Sequence, residues 1–227
     1  MSSSSTLLLQ NCKLTYFNVP GRGEATRLAL TIGGIEFEDE LVEFSNWGKV
    51  KPTTPWGSLP ILSLQDGRRS IAQQRAILRL VGKEVGLYPT DDPFMAAKID
   101  ELMDAVEDIG QKTNSIGQGM EQAEKEKVRA EACAEGGATY GILQNVDNYI
   151  GKNGGGGYSV GDSLSIADLY VYCSCNNLIG GIYDGVPKDT LEPFENINAV
   201  RKLVRNHPTV SQYYVDHPSK FDSFGPL

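Results

Sequence analysis

The sequence holds two histidines, His207 and His217, and each stands directly before a proline. A histidine-based metal centre or a Ser-His relay needs more material than that. Four cysteines, at 12, 133, 173 and 175, form neither a CxxC pair nor a regular framework. They read as reduced thiols of a cytosolic protein. No apolar run approaches the roughly 18–20 residues that span a bilayer, so no membrane partner is expected. The opening MSSSSTLLLQNC carries a serine tract and a three-leucine run without a basic region, unlike a secretory signal. Basic charge is scarce as well: 21 Lys and Arg against 29 Asp and Glu give a net charge of −8. That balance repels a phosphate backbone and argues against a nucleic-acid partner.

What is present is an ordinary globular composition, 40% hydrophobic and 22% charged over 227 residues. The length suits one large domain or two small ones. The first ninety residues and the remainder differ in pattern. Leu14 and Tyr16 alternate with Lys13 and Thr15, the period of a strand; Ala25, Leu28, Ala29 and Ile32 then fall at helical spacing, ended by Gly33-Gly34. Residues 35–44 read as a second strand, and 59–64 with 68–72 as a hairpin about the turn 65–67. Ala76, Ile77, Leu80 and Val81 mark a second helix with Gly86 as its stop. The order β-α-β, long loop, β-β-α predicts a mixed sheet with helices packed on it.

The stretch LYPTDDP (87–93) reads as a linker. Beyond it helices are expected over 94–116, 119–135, 138–150, about 189–205 and 208–216. Ser165 and Asp168 read as a capping box that opens the most apolar helix. No internal repeat is visible.

Four stretches, KLTYFNVPGRGEATRLAL, WGSLPIL, QQRAILRLVGK and GYSVGDSLSIADLYV, occur in the order and spacing of a known family. On them the chain resembles a cytosolic glutathione transferase of the tyrosine type, nearest the sigma class. The resemblance covers nearly the whole chain. It implies a thioredoxin-like glutathione-binding domain over 1–87, a linker at 88–93 and an all-helical domain over 94–227 that supplies the electrophile site and the dimer interface. It also implies glutathione as cosubstrate and a homodimer.

Tyr16 is the expected catalytic residue. A free thiol of pKa about 8.5 is only slightly ionised at pH 7. A phenol of pKa near 10 keeps its proton and can donate it to sulfur, which lowers the thiol pKa. Read from the strand pattern alone, Tyr16 is a half-buried strand tyrosine whose hydroxyl reaches water. Cys12 stands four residues upstream, outside the loop where cysteine-type relatives carry their reactive residue.

The remaining site residues are carried by the resemblance. Arg22 matches an arginine near the γ-glutamyl end. Pro60 matches a cis proline that turns the Leu59 backbone toward the cysteinyl part of glutathione, as an added strand would. Gln73 and Gln74 open a helix whose free amides suit a carboxylate. Gln74 departs from the usual Ser or Thr, and Ser58 from the usual Lys or Gln. Trp47 and Lys51 match donors to the glycine end. Asp104 matches an aspartate that approaches glutathione in the other subunit, with Asp100, Glu107 and Asp108 on the same helix face; a wet acidic face, or a divalent cation held by it, is the alternative, and no metal is assigned. Trp56 matches an aromatic key at the dimer interface. Phe17, Val19 and Phe224 are expected around the electrophile. Cys173 and Cys175 are expected to be inert packing thiols. A non-catalytic, crystallin-like relative is the second hypothesis.

Overall fold

The structure, a computed structural model, describes residues 8–65 and 69–218. Strand β1 (Cys12–Phe17) sits inside the sheet, with a strand paired along each of its edges. Cys12 and Leu14 point into the main core, while Lys13 and Thr15 reach Glu40 on the opposite face at 3.0 and 2.6 Å. β1 runs parallel to β2 (Phe37–Val42) and antiparallel to β3 (Ile61–Ser63), which pairs antiparallel with β4 (Ser70–Ala72). The order β2-β1-β3-β4 is the mixed sheet expected. Only Gln65 of the expected hairpin turn 65–67 lies within the described residues.

Helices α1 (Glu24–Ile32) and α3 (Gln74–Val85) pack beside each other, with Leu28, Ile77, Leu78 and Val81 fully buried. Gly86 ends α3 in the left-handed region at φ 77°. The expected long loop between β2 and β3 is largely helical. A 3-10 turn over Phe44–Asn46, a single-turn helix α2 (Trp47–Val50) and a second 3-10 turn over Lys51–Thr53 occupy it.

From Pro93 onward the chain is helical: α4 (Pro93–Ser115), α5 (Gln122–Cys133), α6 (Ala138–Asn153), α7 (Ile166–Ile179), α8 (Glu195–Asn206) and α9 (Pro208–Asp216). The stretch read as a linker is tied at both ends. The Leu87 carbonyl accepts from Ile166 N at 2.9 Å, and Asp92 caps α4 by accepting from Met95 N at 2.9 Å. The Ser165–Asp168 capping box is present, and the helix it opens is the hub of the second half. Every residue of α7 is buried except Ser174 and Asn177. Those two lie one helical turn apart and face the cleft described next.

Candidate active site

The two glycines of the Pro-Gly-Arg-Gly turn are explained by the tyrosine before them. Tyr16 is 7% exposed, and the turn folds over its ring. A Cβ at Gly21 would lie 2.6 Å from the Tyr16 hydroxyl oxygen, and one at Gly23 would lie 2.8 Å from its Cδ1. Gly21 also adopts φ 45°, a region disfavoured for other residues. Gly23 has ordinary helical dihedrals, so space alone demands glycine there. The result brings the backbone N–H of Arg22 to the Tyr16 hydroxyl, to which it donates at 2.9 Å. Burial raises the Tyr16 pKa above its usual value; the Arg22 amide and the charges of Arg22 and Arg27 pull the other way without cancelling it. The phenol therefore holds its proton at neutral pH.

Arg27 locks this turn from below. Its side chain is fully buried, with Nε 3.0 Å from both Asp39 carboxylate oxygens and Nη1 3.0 Å from Glu24 Oε2. Nη1 also reaches the carbonyls of Val19 and Pro20 at 3.0 and 3.3 Å, and Nη2 reaches that of Phe17 at 3.3 Å. Removal from water opposes its charge, but Glu24 and Asp39 outweigh that and raise its pKa. The guanidinium carbon lies 5.7 Å from the Tyr16 ring centroid.

A polar cavity of about 310 Å³ brings together Arg22, Ser58, Leu59, Pro60, Gln73 and Gln74. The Leu59–Pro60 peptide is cis. Gln73 stands at the N-cap of α3 with φ 76°, an unusual value for a residue with a side chain. Trp47 and Lys51 do not line this cavity. Trp47 packs edge-on against Phe17, with centroids 5.2 Å apart, and Lys51 is exposed on the following turn. Asp104 does not line it either; it pairs with Arg75 of its own chain at 2.8 Å.

Arg75, which does line the cavity, escaped the sequence reading. So did Arg79, 2.6 Å from Asp100. A signal was available: two arginines four apart on α3 face two aspartates four apart on α4. The acidic face is thus largely neutralised within the chain, since Tyr88 also donates to Asp100 and Arg22 pairs with Glu107 at 3.0 Å. Among the described residues, no group of three or more His, Cys, Asp or Glu is arranged to hold a metal ion.

A smaller cavity of about 60 Å³ adjoins the first, sharing Arg22, Gln74 and Glu107 with it. Gly110, Ser174, Asn177 and Tyr183 also line it. Phe17 and Val19, expected around the electrophile, do not line it. Phe17 follows Tyr16 on the strand and leaves on the other side, stacking on Phe44 with centroids 4.7 Å apart. Phe224 lies outside the described residues. Cys173 and Cys175 are fully buried; burial pushes the Cys175 thiol up to about 12 and Cys173 in the same direction.

The glutathione S-transferase N-terminal domain family matches residues 12–83, and the C-terminal domain family matches residues 107–217. A glutathione S-transferase class-mu 28 kDa isozyme of Schistosoma japonicum is 33% identical over 170 residues, spanning 73% of this chain and 80% of that protein. Glutathione S-transferase 1 of Ascaris suum is 30% identical over 91% of this chain and 96% of its own. Among solved structures, prostaglandin synthase D of Nilaparvata lugens superposes with a TM-score of 0.77 at 27% identity, covering 91% of this chain and 97% of that one.

Proposed function

The chain belongs to the glutathione S-transferase family, a transferase with glutathione as cosubstrate, and on that premise we propose that Tyr16 is its thiol-activating residue. The observation that carries the reading is the Arg22 N–H on the Tyr16 oxygen. With that lone pair occupied and the phenol kept neutral by burial, the hydroxyl proton is free to be donated to the sulfur of glutathione. The hydrogen bond favours the thiolate over the thiol. The thiol proton leaves to solvent. The thiolate then attacks an electrophilic carbon; an S–C bond forms, and the leaving group departs with its electron pair.

In this reading the first half, residues 1–87, holds glutathione. Gln73 and Gln74 at the start of α3 take the γ-glutamyl carboxylate, with Arg22 beside them. The Leu59 backbone pairs with the cysteinyl unit; the family resemblance alone, and not the cavity lining, carries Trp47 and Lys51 as donors to the glycine end. The second half, residues 94–227, supplies the electrophile side and the partner surface. Trp56 is 71% exposed, and Phe94 at the start of α4 is also exposed; both support a homodimer that buries them, with Asp104 brought near the partner's glutathione. The buried thiols support a reducing, cytoplasmic setting, and among the described residues no helix is long and apolar enough to cross a membrane. The likeness to a protein named prostaglandin synthase supports an isomerase activity beside conjugation. The crystallin-like alternative is not favoured: the relatives at 33% and 30% identity are transferases by name, and an S-crystallin of Enteroctopus dofleini is similar at 27%.

The test is conjugation of an aryl chloride to glutathione, followed by absorbance, in wild type and Tyr16→Phe. Wild type turns over and the variant loses most of its rate. Absence of turnover above the uncatalysed rate in wild type sinks the reading.

A further inference from the structure

Helices α4 and α7 hold the Tyr16 turn at two points. Arg22 donates from Nη2 to Glu107 Oε1 at 3.0 Å, and Glu107 Oε2 accepts the hydroxyl of Tyr170. Asn177 donates from Nδ2 to the carbonyl of Gly21 at 3.2 Å. Through Arg22, whose own N–H meets the Tyr16 oxygen, an unbroken run of groups leads from a buried phenol on α7 to the proposed catalytic phenol on β1.

An exposed arginine–carboxylate pair contributes little, because two long side chains must be ordered to form it. Arg22 is such a residue, with its side chain 61% exposed. Glu107 is not. It is mostly covered and pre-ordered by Tyr170, itself 1% exposed, so only one flexible side chain has to be ordered. The return is geometric. A turn with glycine on both sides of Arg22 has little intrinsic stiffness, and the two helices supply it from outside.

We propose that Glu107, held by Tyr170, is a positioning residue for Tyr16: by anchoring Arg22 it keeps the Arg22 N–H on the Tyr16 oxygen and leaves the phenol proton for sulfur. The inference rests on the proposed role of Tyr16. A hydroxyl that accepts one hydrogen bond also donates a stronger one, so loosening this anchor weakens thiol activation without removing the phenol. The charged and titratable groups that bear on the pair are Arg22 from the turn, Arg75 from α3 and Tyr183 from the segment after α7, with Asp104 and Asp108 on α4 itself. Those that bear on Tyr16 are Arg22, Arg27 and Tyr183.

The test titrates the thiolate absorbance of bound glutathione against pH in full-length wild type, Tyr170→Phe, Glu107→Gln and Tyr16→Phe. Tyr170→Phe keeps the buried ring and removes one oxygen. It is expected to raise the thiol pKa by about half a unit to one unit, so that thiolate, and kcat/KM for the electrophile at saturating glutathione, fall about 2- to 5-fold at pH 6.5. The loss closes by pH 9, where the thiol ionises unaided. Glu107→Gln, which carries the test if the first variant does not fold, shifts in the same direction. A rate lowered equally at all pH values, with the thiol titrating as in wild type, overturns the proposal. So does a lowered pKa in Glu107→Gln, since Glu107 would then act only by neutralising Arg22. If Tyr16→Phe itself leaves the thiol pKa unchanged, the reading beneath fails and takes this inference with it.

Discussion

The amide nitrogen of Arg22 lies 2.9 Å from the hydroxyl oxygen of Tyr16 and donates to it. The phenol proposed to activate the thiol is therefore oriented by the backbone of a turn only six residues away, and that turn is shaped by what it must clear. Gly21 and Gly23 press on the ring, Arg27 ties the carbonyls beneath, and Glu107 and Asn177 hold from above.

The glycines give the most local prediction. Gly23→Ala places a methyl 2.8 Å from Tyr16 Cδ1. The ring must move, at a cost of about 1–3 kcal/mol, and kcat/KM falls with it. Gly48→Ala, where no atom lies within 4 Å of the added carbon, is the control. Urea unfolding and aryl chloride turnover measured on both check this. Equal behaviour of the two variants would mean that the turn has slack that the geometry denies.

A second expectation concerns pH. Burial raises the Tyr16 pKa above its ordinary value near 10, so the phenol stays protonated throughout the neutral and mildly alkaline range. With glutathione saturating, the profile of kcat/KM for the electrophile should then show one rising limb, that of the bound thiol, and a plateau to at least pH 9.5. A descending limb centred below pH 9 would identify a phenol that ionises too early to donate.

Much of this was legible from local rules. The alternation of Lys13 to Tyr16 announces β1, Gly86 ends α3 where it was expected to, and Ser165 with Asp168 opens α7. These features obey spacing within a few residues. The helical turns over 44–53 were missed because one turn is too short to show periodicity. Arg27 was missed for the opposite reason. It falls on the side of α1 away from the Ala25, Leu28, Ala29 and Ile32 stripe, where the spacing places solvent, and its partners Asp39 and the three carbonyls meet it only in the fold. Glu107 was visible as part of an acidic face, but its partners Arg22 and Tyr170 lie 85 and 63 residues away.

Arg27 offers a stability test. Arg27→Met leaves Glu24 buried without its cation and three carbonyls without their donor. Breaking such a buried pair costs about 3–5 kcal/mol, and Arg27→Lys recovers only part, since an ammonium cannot span a planar fork's partners. Chemical denaturation reads the difference directly. A loss below 1 kcal/mol would show that the network contributes little.

Trp56 tests the partner surface. A tryptophan 71% exposed on a turn is expected to be covered by a second copy. Light scattering should find a dimer for wild type and a shift toward monomer for Trp56→Ala. A wild-type monomer at micromolar concentration would remove the interface role.

The most direct measurement is the thiol pKa of glutathione in its complex with the protein, read from thiolate absorbance. The account predicts a value about two units below that of free glutathione in wild type, equivalent to about 2.7 kcal/mol, and a return toward the free value in Tyr16→Phe. A bound thiol that titrates like the free tripeptide in wild type, or identically in the two proteins, contradicts it.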